Sequence, residues 1–217
     1  MRKIVVIGIL VLLILGVSGG YYHLRAIHDK KEIRQEALLY FQEEDYQKAA
    51  ELFEDARARK TLFSSDLDWD ILNYLAESRY QLGDYDEALK LYDRIIRQDS
   101  GEARNYLLKG ECLEKADRPE DAVDCYQTGY DKTDDSSLLL RMCHVYMDEK
   151  DYEKALACAE QGSEGDDRQA FLFNKIIIYE KSRDYESAFR AASDYVDLYP
   201  KDEKGKKEYT FLSTRVD

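Results

Sequence analysis

Proline is scarce in this sequence: Pro119 and Pro200 are the only two in 217 residues, so long helices can run unbroken. With 11 glycines and no low-complexity run, collagen-like and disordered chains are excluded, since 44% hydrophobic residues supply a core. Histidine is nearly absent as well. His23, His28 and His144 are the whole complement, and HExxH, GxSxG, GxGxxG and P-loop spacings are missing. No catalytic site, metal site or cofactor is therefore expected, and no small-molecule substrate. The many carboxylates are spread over the chain as solvated faces are, with no paired acid–base site or calcium loop. Basic charge is also short, with 32 Lys and Arg against 45 Asp and Glu and a net charge of -13, which repels phosphate backbones and argues against nucleic acid as a partner.

One long uncharged run stands out against this acidic background. From Ile4 to Tyr22 no charged residue occurs, and at 1.5 Å per residue the run spans roughly the 30 Å hydrocarbon core of a bilayer. A transmembrane anchor is the leading reading, with Tyr21 and Tyr22 placed as an interfacial aromatic belt. A cleaved signal peptide is the rival, because Ile4 to Leu15 has the length of a signal h-region and Val17-Ser18-Gly19 offers small residues to a peptidase. No cysteine follows the run, so a lipid-anchor site is absent. Arg2 and Lys3 before the run nearly balance Arg25, Lys30 and Lys31 after it. The short basic n-region nevertheless resembles a signal-anchor, which places the amino terminus in the cytoplasm and the acidic bulk outside it.

The remainder of the chain repeats itself. EDYQKAAELF (44–53), GDYDEALKLY (83–92), DRPEDAVDCY (117–126), KDYEKALACA (150–159) and RDYESAFRAA (183–192) are variants of one phrase, anchored by Ala49, Ala88, Ala122, Ala155 and Ala188 at spacings of 39, 34, 33 and 33. The longer first spacing marks a five-residue insertion in the stretch Leu62 to Asp68. Upstream of each phrase lies a second apolar-periodic run, so each unit is two helices, A and B, joined by a short turn. Asp45, Asp84, Asp151 and Asp184 stand where they can cap helix B; in the third unit Arg118 takes that place and Pro119 suits the first helical turn. Small residues let the two helices of a pair approach closely. The repeated alanines serve on helix B, and Ala37, Ala76, Gly110 and Cys143 on helix A, while Phe53, Tyr92 and Tyr126 add bulk in the first three units and Ala159 and Ala192 make the last two slimmer.

The period of 34, the small helix A residue, the GDY turn, and the alanine followed four residues later by an aromatic together resemble the tetratricopeptide repeat (TPR) family, over roughly Lys30 to Pro200. The second unit matches best, with Leu75, Ala76, Gly83, Asp84, Tyr85, Ala88 and Tyr92 in the family's order. The sequence departs from the family in keeping its turn glycine only at Gly83, and in replacing the helix A tryptophan with Ile33, Leu72, Tyr106, Leu139 and Leu172. The resemblance implies an all-α right-handed superhelix of about five helix-turn-helix repeats. Expected boundaries are 1–29 for a cytoplasmic stub, transmembrane helix and juxtamembrane linker, 30–202 for the repeats, and 203–217 for a capping helix with Tyr209, Phe211 and Leu212.

It also implies a concave groove built from the helix A faces that grips an extended peptide or a partner's helix. By register the groove set is Arg34, Leu38, Phe41, Asn73, Glu77, Tyr80, Arg104, Leu107, Glu111, Leu140, His144, Met147, Phe173 and Ile177. A competing reading packs some of these against the neighbouring unit. The lysine–asparagine carboxylate clamp of some family members is not matched at Arg34/Leu38, Asn73/Glu77 or Leu107/Glu111. A membrane-tethered adaptor for a protein or peptide partner, in envelope assembly or secretion, is thus the expectation; a holdase for exported chains is the alternative, and a cytoplasm-facing regulatory repeat protein a third reading. Export would permit disulfides. Cys112 with Cys125 and Cys143 with Cys158 are the pairs able to meet across one hairpin, against the simpler reading of four small buried apolar residues.

Overall fold

The structure, a computed structural model, describes residues 2–61, 66–165 and 167–216; for residues 2–15 and Val17 it describes the backbone alone. The described residues form eleven helices and no strands. Two compact units divide the chain, residues 1–98 and 99–217.

The first unit holds α1 (Arg2–Gln42), α2 (Tyr46–Ala58), α3 (Asp66–Gln81) and α4 (Tyr85–Gln98). Consecutive helices pack as antiparallel neighbours, and α1 also touches α3, which is how stacked hairpins lie. Helix α1 is continuous, so residues 23–29, read from the sequence as a linker, extend helix A of the first repeat. Among the described residues no helix is long and apolar enough to cross a membrane. The apolar run Ile4 to Leu15, core of the expected anchor, lies outside the residues whose side chains are described, as do residues 62–65 of the expected insertion.

The second unit holds α5 (Ala103–Lys115), α6 (Pro119–Thr133), α7 (Ser136–Asp148), α8 (Tyr152–Gly162), α9 (Arg168–Lys181), α10 (Tyr185–Leu198) and α11 (Glu203–Ser213). Helix α11 closes the last hairpin by packing on α10: Leu212 is fully buried beside Ile176, Ala188 and Ala192, and the Tyr209 ring stacks on Phe189 at 5.1 Å.

All five hairpin turns share one backbone solution. The second residue past helix A adopts a left-handed conformation, with φ of 62° at Glu44, 77° at Gly83, 58° at Asp117, 61° at Lys150 and 64° at Arg183. The next N–H then returns to a carbonyl five residues back, as Asp84 does to Arg79 at 2.9 Å and Asp151 to Tyr146 at 2.9 Å, the longer bond of a Schellman turn. That same residue starts helix B. The carboxylates of Asp45, Asp151 and Asp184 accept from the backbone N–H of Lys48, Lys154 and Ser187 at 3.0, 3.2 and 3.1 Å, whereas Arg118 makes no side-chain cap and relies on Pro119 at the first helical position. The carboxylate of Asp84 receives the Arg79 guanidinium at 2.8 Å.

Packing inside each hairpin follows a size rule that the sequence carries at a separation of 16 residues. The pairs are Ala37 with Phe53, Ala76 with Tyr92, Gly110 with Tyr126, Cys143 with Ala159, and Ile176 with Ala192; every one of these positions is buried. In four of the five a large side chain on one helix accompanies a small one on the other; the fourth pair, Cys143 with Ala159, is small on both sides and makes that crossing the slimmest. At Gly110 the fit is tightest, since a Cβ there would stand 2.1 Å from the Tyr126 ring. Gly129, Gly162 and Gly205 seat Tyr106, Phe171 and Tyr195 in the same way.

The four cysteines are buried thiols. Cys143 donates to the Ala155 carbonyl at 3.5 Å, and burial pushes its thiol up to about 12 and that of Cys158 up to about 11, so both stay protonated and behave as small apolar residues.

Candidate interaction surface

In the first unit the helix A wall is the paired face of α1 and α3. Arg34 reaches Asp70 and the buried Lys30 reaches Asp68 as ion pairs that staple the two helices. The hydrogen bond to Asp70 holds the Arg34 guanidinium above its usual range. Phe41 stands edge-on to Tyr74 at 5.2 Å and to Tyr46 at 5.3 Å, while Leu38, Glu77 and Tyr80 are half-buried. Asn73 is exposed, but its amide donates to the Trp69 carbonyl at 2.8 Å, and Glu77 accepts from Gln81 at 2.7 Å. This wall therefore offers an aromatic and aliphatic strip whose flanking charges are already engaged.

In the second unit α5, α7 and α9 stand side by side, and their facing side chains form a polar ladder on an apolar ground. Arg141 is the centre of it. Its Nη2 donates to Glu114 at 3.0 Å and lies 3.3 Å from Glu111, so two carboxylates of α5 grip one guanidinium of α7. Glu114 also accepts from the Tyr126 hydroxyl, and burial together with that bond pushes the phenol well above its usual range. Burial draws the Arg141 guanidinium down, yet Tyr126 and the two carboxylates outweigh it and leave it above its usual value. One turn along α7, His144 Nε2 lies 3.2 Å from the Asn174 amide of α9; burial, then the Arg141 charge, holds the imidazole below its ordinary range and so neutral at neutral pH.

Around this ladder Leu107, Leu140 and Ile177 are half-buried, and Arg104 is exposed. Two expected wall residues are placed differently. Met147, at 7% exposure, sinks into the hairpin core, and Phe173 turns toward Tyr195 at 5.6 Å and packs on the cluster beneath α11. Phe173 packs where the slim Ala188 and Ala192 of the last helix B leave room. Conversely, Lys30, Asp68, Asp70, Glu114, Arg141 and Asn174 escaped a reading based on apolar register. The signal they carry is complementary polarity between the helix A segments of adjacent repeats, as between Arg34 and Asp70 or Glu114 and Arg141. Among the described residues no group of three or more His, Cys, Asp or Glu side chains is placed to hold a metal ion.

Residues 34–103 and 79–138 match tetratricopeptide repeat family models. The fold is that of the tetratricopeptide repeat. A crystal structure of a tetratricopeptide repeat protein from Parabacteroides merdae superposes with a TM-score of 0.66 at 15% identity, over 85% of this chain and 72% of that one. YrrB, described as a TPR protein with an unusual peptide-binding site, gives 0.55 at 16% identity, over 85% of this chain and 96% of that one. In sequence, the chain is 31% identical over 96 residues to Rhomboid protease GluP of Bacillus subtilis, which is 44% of this chain and 18% of that protein. The chain thus spans under a fifth of that relative's length, and what the two share is a segment.

Proposed function

We propose that this protein is a membrane-tethered TPR adaptor, with its amino terminus in the cytoplasm and its repeats outside, that grips a peptide or helix of a protein partner on its helix A walls in envelope assembly or secretion. The grip requires no bond-making step. The observation that carries the reading is the composition of the walls: Leu38, Phe41 and Tyr80 in one unit and Leu107, Leu140 and Ile177 in the other stay partly open to solvent, while Arg34 and Arg141 beside them are ion-paired within the protein. An apolar strip flanked by ion-paired guanidinium groups favours a desolvated ligand backbone or helix over water. The peptide-binding site named for YrrB is consistent with that use of the fold. The tether rests on the uncharged run Ile4 to Tyr22 behind Arg2 and Lys3.

Two measurements test this. A reporter active only outside the cytoplasm, fused after Asp217, should be active, and residues 1–20 should persist in membrane-extracted protein; activity of a cytoplasm-only reporter at the same place overturns the orientation. An adaptor should co-purify from the membrane with a defined complex. Suppression of aggregation of unrelated unfolded proteins, without such a complex, would replace the adaptor by a holdase.

A further inference from the structure

In the first unit, where the carboxyl end of α2 meets the amino end of α3, lies a cavity of about 220 Å³. Its lining inverts the charge of the molecule. Lys and Arg are 32 of 217 residues in the chain but five of the nine around this cavity, facing a single carboxylate, Asp68. Arg57, Arg59 and Lys60 come from the end of α2 and the segment leaving it, Arg94 comes from α4, and Lys30 from α1; Trp69 of α3 completes the wall.

Two of the five cations have partners that account for them. Lys30 is 2% exposed and bound to Asp68, and Arg59 is held by Asp55 at 3.0 and 3.1 Å. Arg57, Lys60 and Arg94 are exposed, and none of them forms an ion pair among the described residues. A cation in the last turn of α2 also complements that helix's dipole, which explains Arg57. It does not explain Arg94, brought to the same cavity from a different helix, nor the grouping of three unneutralised cations in a protein of net charge -13.

We infer that this cavity binds a phosphate group. Guanidinium groups present paired N–H donors that match two phosphate oxygens, an ammonium adds a point charge, and the flat face of Trp69 can cover the apolar part of whatever carries the phosphate. The volume suits a phosphomonoester or a lipid phosphate headgroup, and excludes a folded partner. The ligand is held and not transformed. This site shares the Lys30–Asp68 ion pair with the wall of the first unit but none of its apolar strip, and it does not depend on the membrane reading.

Trp69 is the sole tryptophan, so its fluorescence reports on the cavity alone. Full-length protein in a neutral maltoside detergent is titrated at constant ionic strength with inorganic phosphate, with pyrophosphate, and with a short-chain phosphatidic acid beside the matching diacylglycerol; chloride is the control. A saturable change is expected for phosphate-bearing probes, with the dissociation constant raised tenfold or more in Arg94→Gln and in Lys60→Gln. Both positions are exposed, and melting of these variants should match the parent; Arg94→Lys, which keeps the charge but loses the fork, should fall between. Tighter binding of phosphatidic acid than of inorganic phosphate identifies a lipid source, and equal binding identifies the phosphate group itself as sufficient. A response no different from chloride, or a saturable one unchanged in both Gln variants, overturns the assignment.

Discussion

The turn position after helix A shows how much a single residue carries. Gly83 adopts φ 77° with open space around its Cβ position, so Gly83→Ala tests backbone strain with no clash; it should lower stability by about 1 kcal/mol in chemical denaturation. Lys150 holds the equivalent place at φ 61°, and Lys150→Gly, which removes the strain but frees the unfolded chain, should be neutral to stabilising by up to about 1 kcal/mol. Gly110→Ala is a different experiment, since the added Cβ meets a Tyr126 ring locked by its hydrogen bond to Glu114, and overpacking of about 1 to 3 kcal/mol is expected. At this scale the sequence was readable where residue type recurs. Ala37, Ala76, Gly110 and Cys143 are all buried at the crossings as expected. Gly129 and Gly162 recur at the repeat spacing of 33, but the aromatics they seat, Tyr106 and Phe171, are not equivalent by that spacing, so the pairings were not readable; nor was that of Gly205 with Tyr195.

At the level of helices, the caps give a prediction of opposite sign. Arg118 leaves α6 without a side-chain cap, and its bond to Asp121 at 2.7 Å is exposed and worth little, so Arg118→Ser should stabilise the second unit by about 0.5 to 1 kcal/mol, seen as a higher melting temperature. The closing helix α11 carries a pH dependence. Burial, and then the neighbouring Glu180, raises the Glu208 carboxyl above the usual carboxylate range. Folding therefore favours its protonated form. The favourable contribution is complete below the ordinary carboxylate range and is lost as pH rises through the raised value. Glu208→Gln should raise the melting temperature by about 1 to 2 °C near pH 7.5, and the difference should vanish near pH 4. Helix boundaries and the hairpin order followed from the repeated phrase, since an Asp that ends one helix and caps the next leaves a fixed signature. The continuity of α1 through residues 23–29 did not, because a polar stretch between an apolar run and a repeat looks the same in sequence whether coiled or helical.

For the whole molecule, two units of stacked hairpins present helix A walls in which satisfied charge flanks open apolar surface. Register brings Leu38, Phe41, Leu107, Leu140 and Ile177 to partly open positions on the helix A segments, whereas the ion pairs between neighbouring helices leave only complementary charges in the sequence, which do not say which of them meet. The claim that these walls are the working surface is tested most directly by photo-crosslinking in intact cells, with a photoreactive phenylalanine analogue placed in turn at Leu107, Leu140 and Ile177, and at the exposed positions Lys90, Glu153 and Arg190 of the helix B segments. A partner held by the walls predicts one discrete adduct, of the same size, from the first three positions and none from the last three. Equal adducts from both sets, or adducts from the helix B positions alone, would contradict it.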